Sequence, residues 1–240
     1  MITDSTHRMM HKRASLAPRW HTVALVTLQL AVALTGTVLQ HYGAPTSSAR
    51  AAPPATAARI STQYLPLLIV NWGLLAYCCR LFRGQNALPR LLGERWRGLW
   101  RACADLALAL ATAFVILALD LVSRQLLPMG RNAAIAGLLP STGAERLVWI
   151  VVAVNVGFCE EVAYRGYLQT QLAAFTGRPA AGVALQAALF GIAHLEQGPI
   201  AALTIALSGL ALGVLAHFRR SLLPGIACHI GIDLASGLFR

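Results

Sequence analysis

The stretch Val156-Gly-Phe-Cys-Glu160-Glu161-Val-Ala-Tyr-Arg165 sets two adjacent carboxylates and an arginine inside a run apolar enough to cross a bilayer. A carboxylate at membrane depth costs about 3 kcal/mol on insertion scales. The chain has only nine acidic residues and spends two of them here, so the placement calls for a use. Reading outward, 146–168 is one of seven windows of mainly apolar residues, each near the roughly 20 needed at about 1.5 Å per residue to span a core of about 30 Å. The others are 21–40, 64–79, 102–122, 180–195, 199–218 and 222–239. Together they predict an all-α, polytopic transmembrane helical bundle of about seven spans, or eight if a further helix lies in the interfacial loops.

Composition agrees. The 240 residues are 57% hydrophobic and 12% charged, with a mean hydropathy of +0.60, which excludes an ordinary soluble domain. The net charge of +11 does not make this a nucleic-acid binder, because the cations are dispersed through loops with no aromatic-interleaved patch. Topology accounts for them. Arg8, Lys12, Arg13 and Arg19 precede the first span, and Arg80, Arg83, Arg90, Arg95, Arg97 and Arg101 follow the second. Arg165 with Arg178, and Arg219 with Arg220, follow on the same side, giving 14 of the 20 basic residues to one face. The positive-inside rule then predicts an integral protein of a bacterial-type inner or plasma membrane, with its N-terminus in the cytoplasm.

The basic stretch 1–20 followed by an apolar run resembles a signal peptide, but the run is too long for a typical apolar core of one and reads as a retained span. Cys78, Cys79, Cys103, Cys159 and Cys228 lack the paired spacing of a disulfide framework or zinc site and read as apolar filler. Residues 43–61, rich in Pro, Ala, Ser and Thr, read as an exposed outer loop. Residues 81–100 mix Arg, Leu and Trp as a short amphipathic segment at the headgroups would. The chain thus divides into a basic N-terminal segment 1–20, a transmembrane region 21–145 without visible chemistry, and a catalytic core 146–240.

Three constellations carry that chemistry. Glu161 and Arg165 are i and i+4 on a helix and share a face, while Glu160 points about 100° away. Phe190-Gly-Ile-Ala-His194 puts a histidine near the end of a span, with a turn signal beyond it. His229-Ile-Gly-Ile-Asp233 stacks an imidazole and a carboxylate on one face of the last span. Unpaired, these six ionisable groups would together cost on the order of 10 kcal/mol, so they should converge on a wet or mutually satisfied cavity. A carboxylate and two imidazoles can deprotonate a water, protonate a leaving amine and stabilise an oxyanion. The residues therefore point to peptide-bond hydrolysis without a covalent intermediate.

The series Glu-Glu-x-x-x-Arg, Phe-x-x-x-His and His-x-x-x-Asp resembles the three motifs of the CPBP intramembrane protease family, which includes the type II CAAX prenyl endopeptidases and bacteriocin-processing proteins. The likeness covers about residues 150–240. It implies a glutamate-dependent intramembrane endopeptidase in which Glu160 is the general base and His194 positions the same water. His229, with Asp233 beside it, would stabilise the oxyanion, while Glu161 and Arg165 hold the site and Phe190 supports it by packing. Asp233 departs from the asparagine of the prenyl proteases; an ionised aspartate cannot donate to an oxyanion, which leaves orienting His229 as its other role. The implied partners are the lipid bilayer and a hydrophobic or lipidated peptide substrate, and no cofactor is required.

Competing readings remain at this stage. Two histidines and a carboxylate can ligate zinc, although no His-Glu-x-x-His is present. Ser208 lacks a nucleophile context, and Ser208-Gly209-Leu-Ala-Leu-Gly213 instead suits close helix approach. Tyr164 and Tyr167 read as core or interfacial aromatics, and His217 as solvated. Asp105 and Asp120 read as snorkelling to the interface. A non-enzymatic immunity or transport protein would use the same buried charges as a conduit.

Overall fold

A computed structural model describes residues 15–43, 56–81, 86–126 and 138–239. The N-terminal cations Arg8, Lys12 and Arg13, most of the 43–61 loop and Arg83 lie outside these described residues. Eight helices are defined: α1 (Arg19–Gly43), α2 (Thr56–Leu81), α3 (Ala87–Leu92), α4 (Leu99–Leu126), α5 (Gly143–Thr176), α6 (Pro179–Ile192), α7 (Pro199–Arg219) and α8 (Leu223–Leu238). Five of them, α1, α2, α4, α5 and α7, are long and apolar enough to cross a membrane. α6 and α8 are apolar but have 14 and 16 residues, so each reaches only about 21–24 Å. The protein is an all-α integral membrane bundle whose apolar helices match the seven windows of the sequence, two of them too short to span alone. Short α3 falls in the amphipathic stretch 81–100, beside the exposed Trp96, Leu99 and Trp100.

The 34-residue α5 is the axis of the bundle. It starts at a reciprocal cap, in which Thr142 accepts from the Glu145 backbone and Glu145 reaches back to the Thr142 N–H. It ends at Gly177, whose φ of +68° is the left-handed stop that a side chain disfavours. Between these ends, residues 161–168 are all buried, and Val162, Tyr167 and Leu168 form the main core with Leu25, Leu75 and Ile226. α8 packs on α5 and α4, while α6 and α7 form an antiparallel pair whose backbones nearly touch. A Cβ at Gly191 would lie 2.5 Å from the Ala202 carbonyl, so only glycine permits that approach. The Gly209 and Gly213 stripe faces α6 as the sequence predicts, and Ser208 donates to its own helix at the Thr204 carbonyl (2.9 Å).

One end of the bundle gathers Arg19, Arg90, Arg95, Arg97, Arg101, Arg219 and Arg220. Contacts from Leu16 to Gln171 (2.5 Å) and from Glu94 to the Arg220 carbonyl (2.9 Å) tie those segments together. Three expectations change. Arg165, counted among the loop cations, is fully buried in mid-bundle, because its charge is matched by Glu161. Asp105 does not snorkel: it is buried and bonded to Arg219 (2.7 Å) and to Trp96 Nε1 (2.9 Å), an ion pair locking α4 to α7. Residues 56–61 are helical rather than loop, since Arg59 is buried against Glu145 (3.3 Å) and donates to the Leu139 carbonyl (2.7 Å). Asp120, by contrast, stays exposed and pairs with Arg124 at 2.8 Å.

Candidate active site

The regular helix of α5 ends at Glu160, and residues 161–168 continue as wider π-helical turns. There the Gln169 N–H bonds the Tyr164 carbonyl five residues back. Insertions of this kind recur at functional sites because they rotate neighbouring side chains out of the regular register. The break falls between the two glutamates, and their environments differ accordingly. The Glu161 side chain is completely buried, whereas that of Glu160 is 14% exposed. The sequence anticipates this division, but its 100° offset assumes a regular helix.

Glu161 is the hub. Its Oε1 lies 2.8 Å from Arg165 Nη1 as an ion pair outside hydrogen-bonding alignment, and accepts a hydrogen bond from His229 Nδ1 at 3.0 Å. A carboxylate only accepts, so Nδ1 carries the proton of that bond and the Nε2 of His229 is turned away from Glu161. Nε2 lies 3.9 Å from Glu160 Oε2 and 3.8 Å from Asp233 Oδ2, too far for a hydrogen bond to either. Asp233 therefore does not orient the ring through Nδ1; Glu161 occupies that position. The backbone carbonyl of Asp233 accepts from Trp149 Nε1 (2.9 Å), which ties this part of α8 to α5.

His194 is held in the same fashion. It stands just past the last turn of α6, and its Nδ1 donates to the Phe190 carbonyl at 2.7 Å. That bond too leaves Nε2 uncommitted. The Phe190 ring is the packing centre of the site: it meets His194 edge-on at 4.9 Å, His229 at 6.1 Å and Tyr164 at 4.8 Å between ring centres. The Arg165 guanidinium lies over it at 4.3 Å, a favourable cation–π placement. One phenyl ring thus sits between both histidines and the buried ion pair. Asp233 lies within electrostatic reach of His229, Glu160, His194 and Glu161.

Close helix packing fixes this geometry. A Cβ at Gly157 would come within 2.7 Å of Ile230, and one at Gly237 would collide with the Trp149 indole, so α8 lies directly on α5. A Cβ at Gly225 would stand 2.9 Å from Glu161 Oε2, which fixes the height of that carboxylate against α8. All seven residues singled out from sequence belong to this one neighbourhood. Two further polar groups lack any motif. Gln29 of α1 donates to the Tyr164 hydroxyl at 2.9 Å, and its Oε1 is buried without a partner; a lone glutamine within an apolar span was the available signal. Tyr164, read as a core aromatic, is indeed buried and is also the link between α1 and the site. Among the described residues no three His, Cys, Asp or Glu side chains group as a ready metal site.

Compared with known families, residues 142–235 match the Rce1-like family, described as type II CAAX prenyl endopeptidase. No curated protein and no solved structure matches the chain. The matched stretch holds all three motifs and every residue of the cluster around Glu161. This part of the chain, spanning α5 to most of α8, is thus similar to the type II CAAX prenyl endopeptidases.

Proposed function

We propose that the protein is a glutamate-dependent intramembrane endopeptidase that hydrolyses a peptide bond of a hydrophobic or lipidated, membrane-associated substrate. The observation that carries this reading is the bond from His229 Nδ1 to Glu161. It fixes an imidazole with its other nitrogen 3.9 Å from the more exposed glutamate, Glu160. In the proposed reaction a water sits between Glu160 and His194 Nε2. Glu160 takes its proton, and the oxygen attacks the scissile carbonyl. With Nδ1–H given to Glu161, His229 donates to the developing oxyanion through Nε2–H, as an imidazolium whose counter-charges are Glu161, Glu160 and Asp233. Collapse of the tetrahedral intermediate expels the amine, which takes the proton held by Glu160. Arg165, Glu161 and Phe190 hold the frame, and residues 146–240 supply every reacting group.

The membrane is a bacterial-type inner or plasma membrane, with the cationic end and N-terminus on the cytoplasmic side. The test is hydrolysis of a prenylated CAAX-type peptide by the purified protein in lipid nanodiscs, followed by mass spectrometry in ¹⁸O-labelled water. One solvent oxygen should enter the new carboxylate, and Glu160→Gln should give no product while remaining folded. A specific feature favours one rival: two imidazoles with committed Nδ1 atoms would also suit zinc at Nε2. Activity that survives metal chelators supports the glutamate mechanism. Loss on chelation with recovery by zinc would replace it.

A further inference from the structure

Short α3 docks on the turn between α7 and α8 through a seam of backbone bonds. Leu222 N–H donates to the Leu92 carbonyl and Glu94 N–H to the Arg220 carbonyl, both at 2.9 Å, and Gly93 pairs antiparallel with Ser221. Gly93 has a φ of +78°, and a Cβ there would collide with the Arg220 carbonyl, so the seam is written into the sequence. Between the seam and α5 lies a cavity of about 200 Å³, lined by Arg90, Arg165, Thr170, His217, Arg220 and Ser221 among others, with no Asp or Glu in its lining. Arg165 is already matched by Glu161, Arg219 nearby by Asp105, and Arg101 by Glu94. Arg90 and Arg220 form no ion pair among the described residues. Both side chains are exposed, and without an acidic partner in the lining they give the cavity a positive field that favours an anion. Gly93 and Arg220 of its lining also border a neighbouring surface hollow with Trp96, an exposed aromatic side chain of the kind that marks the headgroup level of a bilayer.

We propose that this cavity binds the phosphate of an anionic phospholipid headgroup, held by Arg90 and Arg220 with the hydroxyls of Thr170 and Ser221 as further donors. The volume suits a headgroup rather than a whole ligand, which leaves the acyl chains outside along the helices. Guanidinium matches a phosphodiester through paired N–H donors, and basic residues at the cytoplasmic headgroup level attract anionic lipid. The site is independent of the hydrolysis proposed above, since neither arginine belongs to the reacting cluster.

The test is thermal unfolding of the purified full chain in detergent, titrated with phosphatidylglycerol, with phosphatidylcholine or with inorganic phosphate. Phosphatidylglycerol should raise the unfolding temperature, and Arg90→Gln/Arg220→Gln should need at least about tenfold more of it for the same rise. Arg95→Gln/Arg97→Gln, which removes two exposed cations outside the cavity, should respond as the native chain does. Equal loss in both variants would make the effect general surface charge and overturn the site. Equal protection by inorganic phosphate would overturn a lipid as the source. The lipid that co-purifies with the native chain gives a reading that does not depend on any variant folding. It should be enriched in anionic species over the source membrane, and the absence of enrichment would also overturn the proposal.

Discussion

Glu161 and Arg165 form the most heavily buried charge pair in the described residues, at 2.8 Å with both side chains fully enclosed. Removing one member of such a pair leaves an uncompensated buried charge, so Arg165→Leu should cost about 3–5 kcal/mol in unfolding measurements in micelles. Adding Glu161→Gln to Arg165→Leu should recover much of that loss without recovering activity, because His229 Nδ1 then faces an amide instead of a carboxylate. Stability and hydrolysis should thus separate in the double variant. Recovery of both would mean that Glu161 serves the ion pair alone. At His229, truncation to alanine should lower turnover by about 10²–10³-fold if its Nε2 stabilises the oxyanion, with binding of an uncleavable peptide changed far less. The pairing of Glu161 with Arg165 was legible from i,i+4 spacing. That Glu161 also holds His229 was not, because no sequence pattern reports how closely α8 lies on α5.

At the scale of elements, the site depends on helices meeting without intervening side chains. Gly237→Ala places a methyl in the Trp149 indole and pushes α8 off α5. Overpacking of this kind costs about 1–3 kcal/mol, and because it moves His229 relative to Glu160 it should reduce turnover more than it reduces stability. Gly73→Ala on α2 meets no atom within 4 Å and should leave both unchanged, or stabilise slightly through helix propensity. Circular dichroism and an unfolding titration on the two variants, alongside peptide hydrolysis, check the contrast. Helix identity was legible in apolar length alone, and the seven windows match the seven apolar helices closely. The π-helical turns after Glu160 were not, since wide and regular turns draw on the same residues. The Arg59–Glu145 pair was hidden as well: a cation beside a Pro- and Ala-rich stretch reads as loop until its acidic partner is seen.

Across the whole molecule, charge is arranged along the bundle axis. The cationic end holds Arg90, Arg95, Arg97 and Arg220, and the far end begins α5 at Thr142 and Glu145. If the cationic end is cytoplasmic, Leu99→Cys should react with a membrane-impermeant maleimide only after the cells are permeabilised, whereas Gly143→Cys should react in intact cells. Both are made in a background with Cys103→Ser, because Cys103 is the exposed native thiol among the described residues. The opposite labelling pattern would invert the topology. The proposed reacting groups lie between the two ends: along α8, Asp233 stands ten residues and about 15 Å from the cationic end of that helix. Glu160, His229 and Asp233 keep intermediate side-chain exposure there, whereas Glu161 is fully enclosed. Sequence spacing marked which residues share a face. Only the packed helices show that α5, α6 and α8 bring those faces together.

The most direct measurement of the central claim compares the peptide termini of membrane and secreted proteins from cells carrying the native chain with those from cells carrying equally expressed Glu160→Gln. The account predicts that a defined set of processed termini disappears in the variant, together with accumulation of the uncleaved proteins. Unchanged termini, under conditions where deletion of the protein has a phenotype, would contradict a Glu160-dependent peptidase and leave the buried charges to a non-enzymatic role.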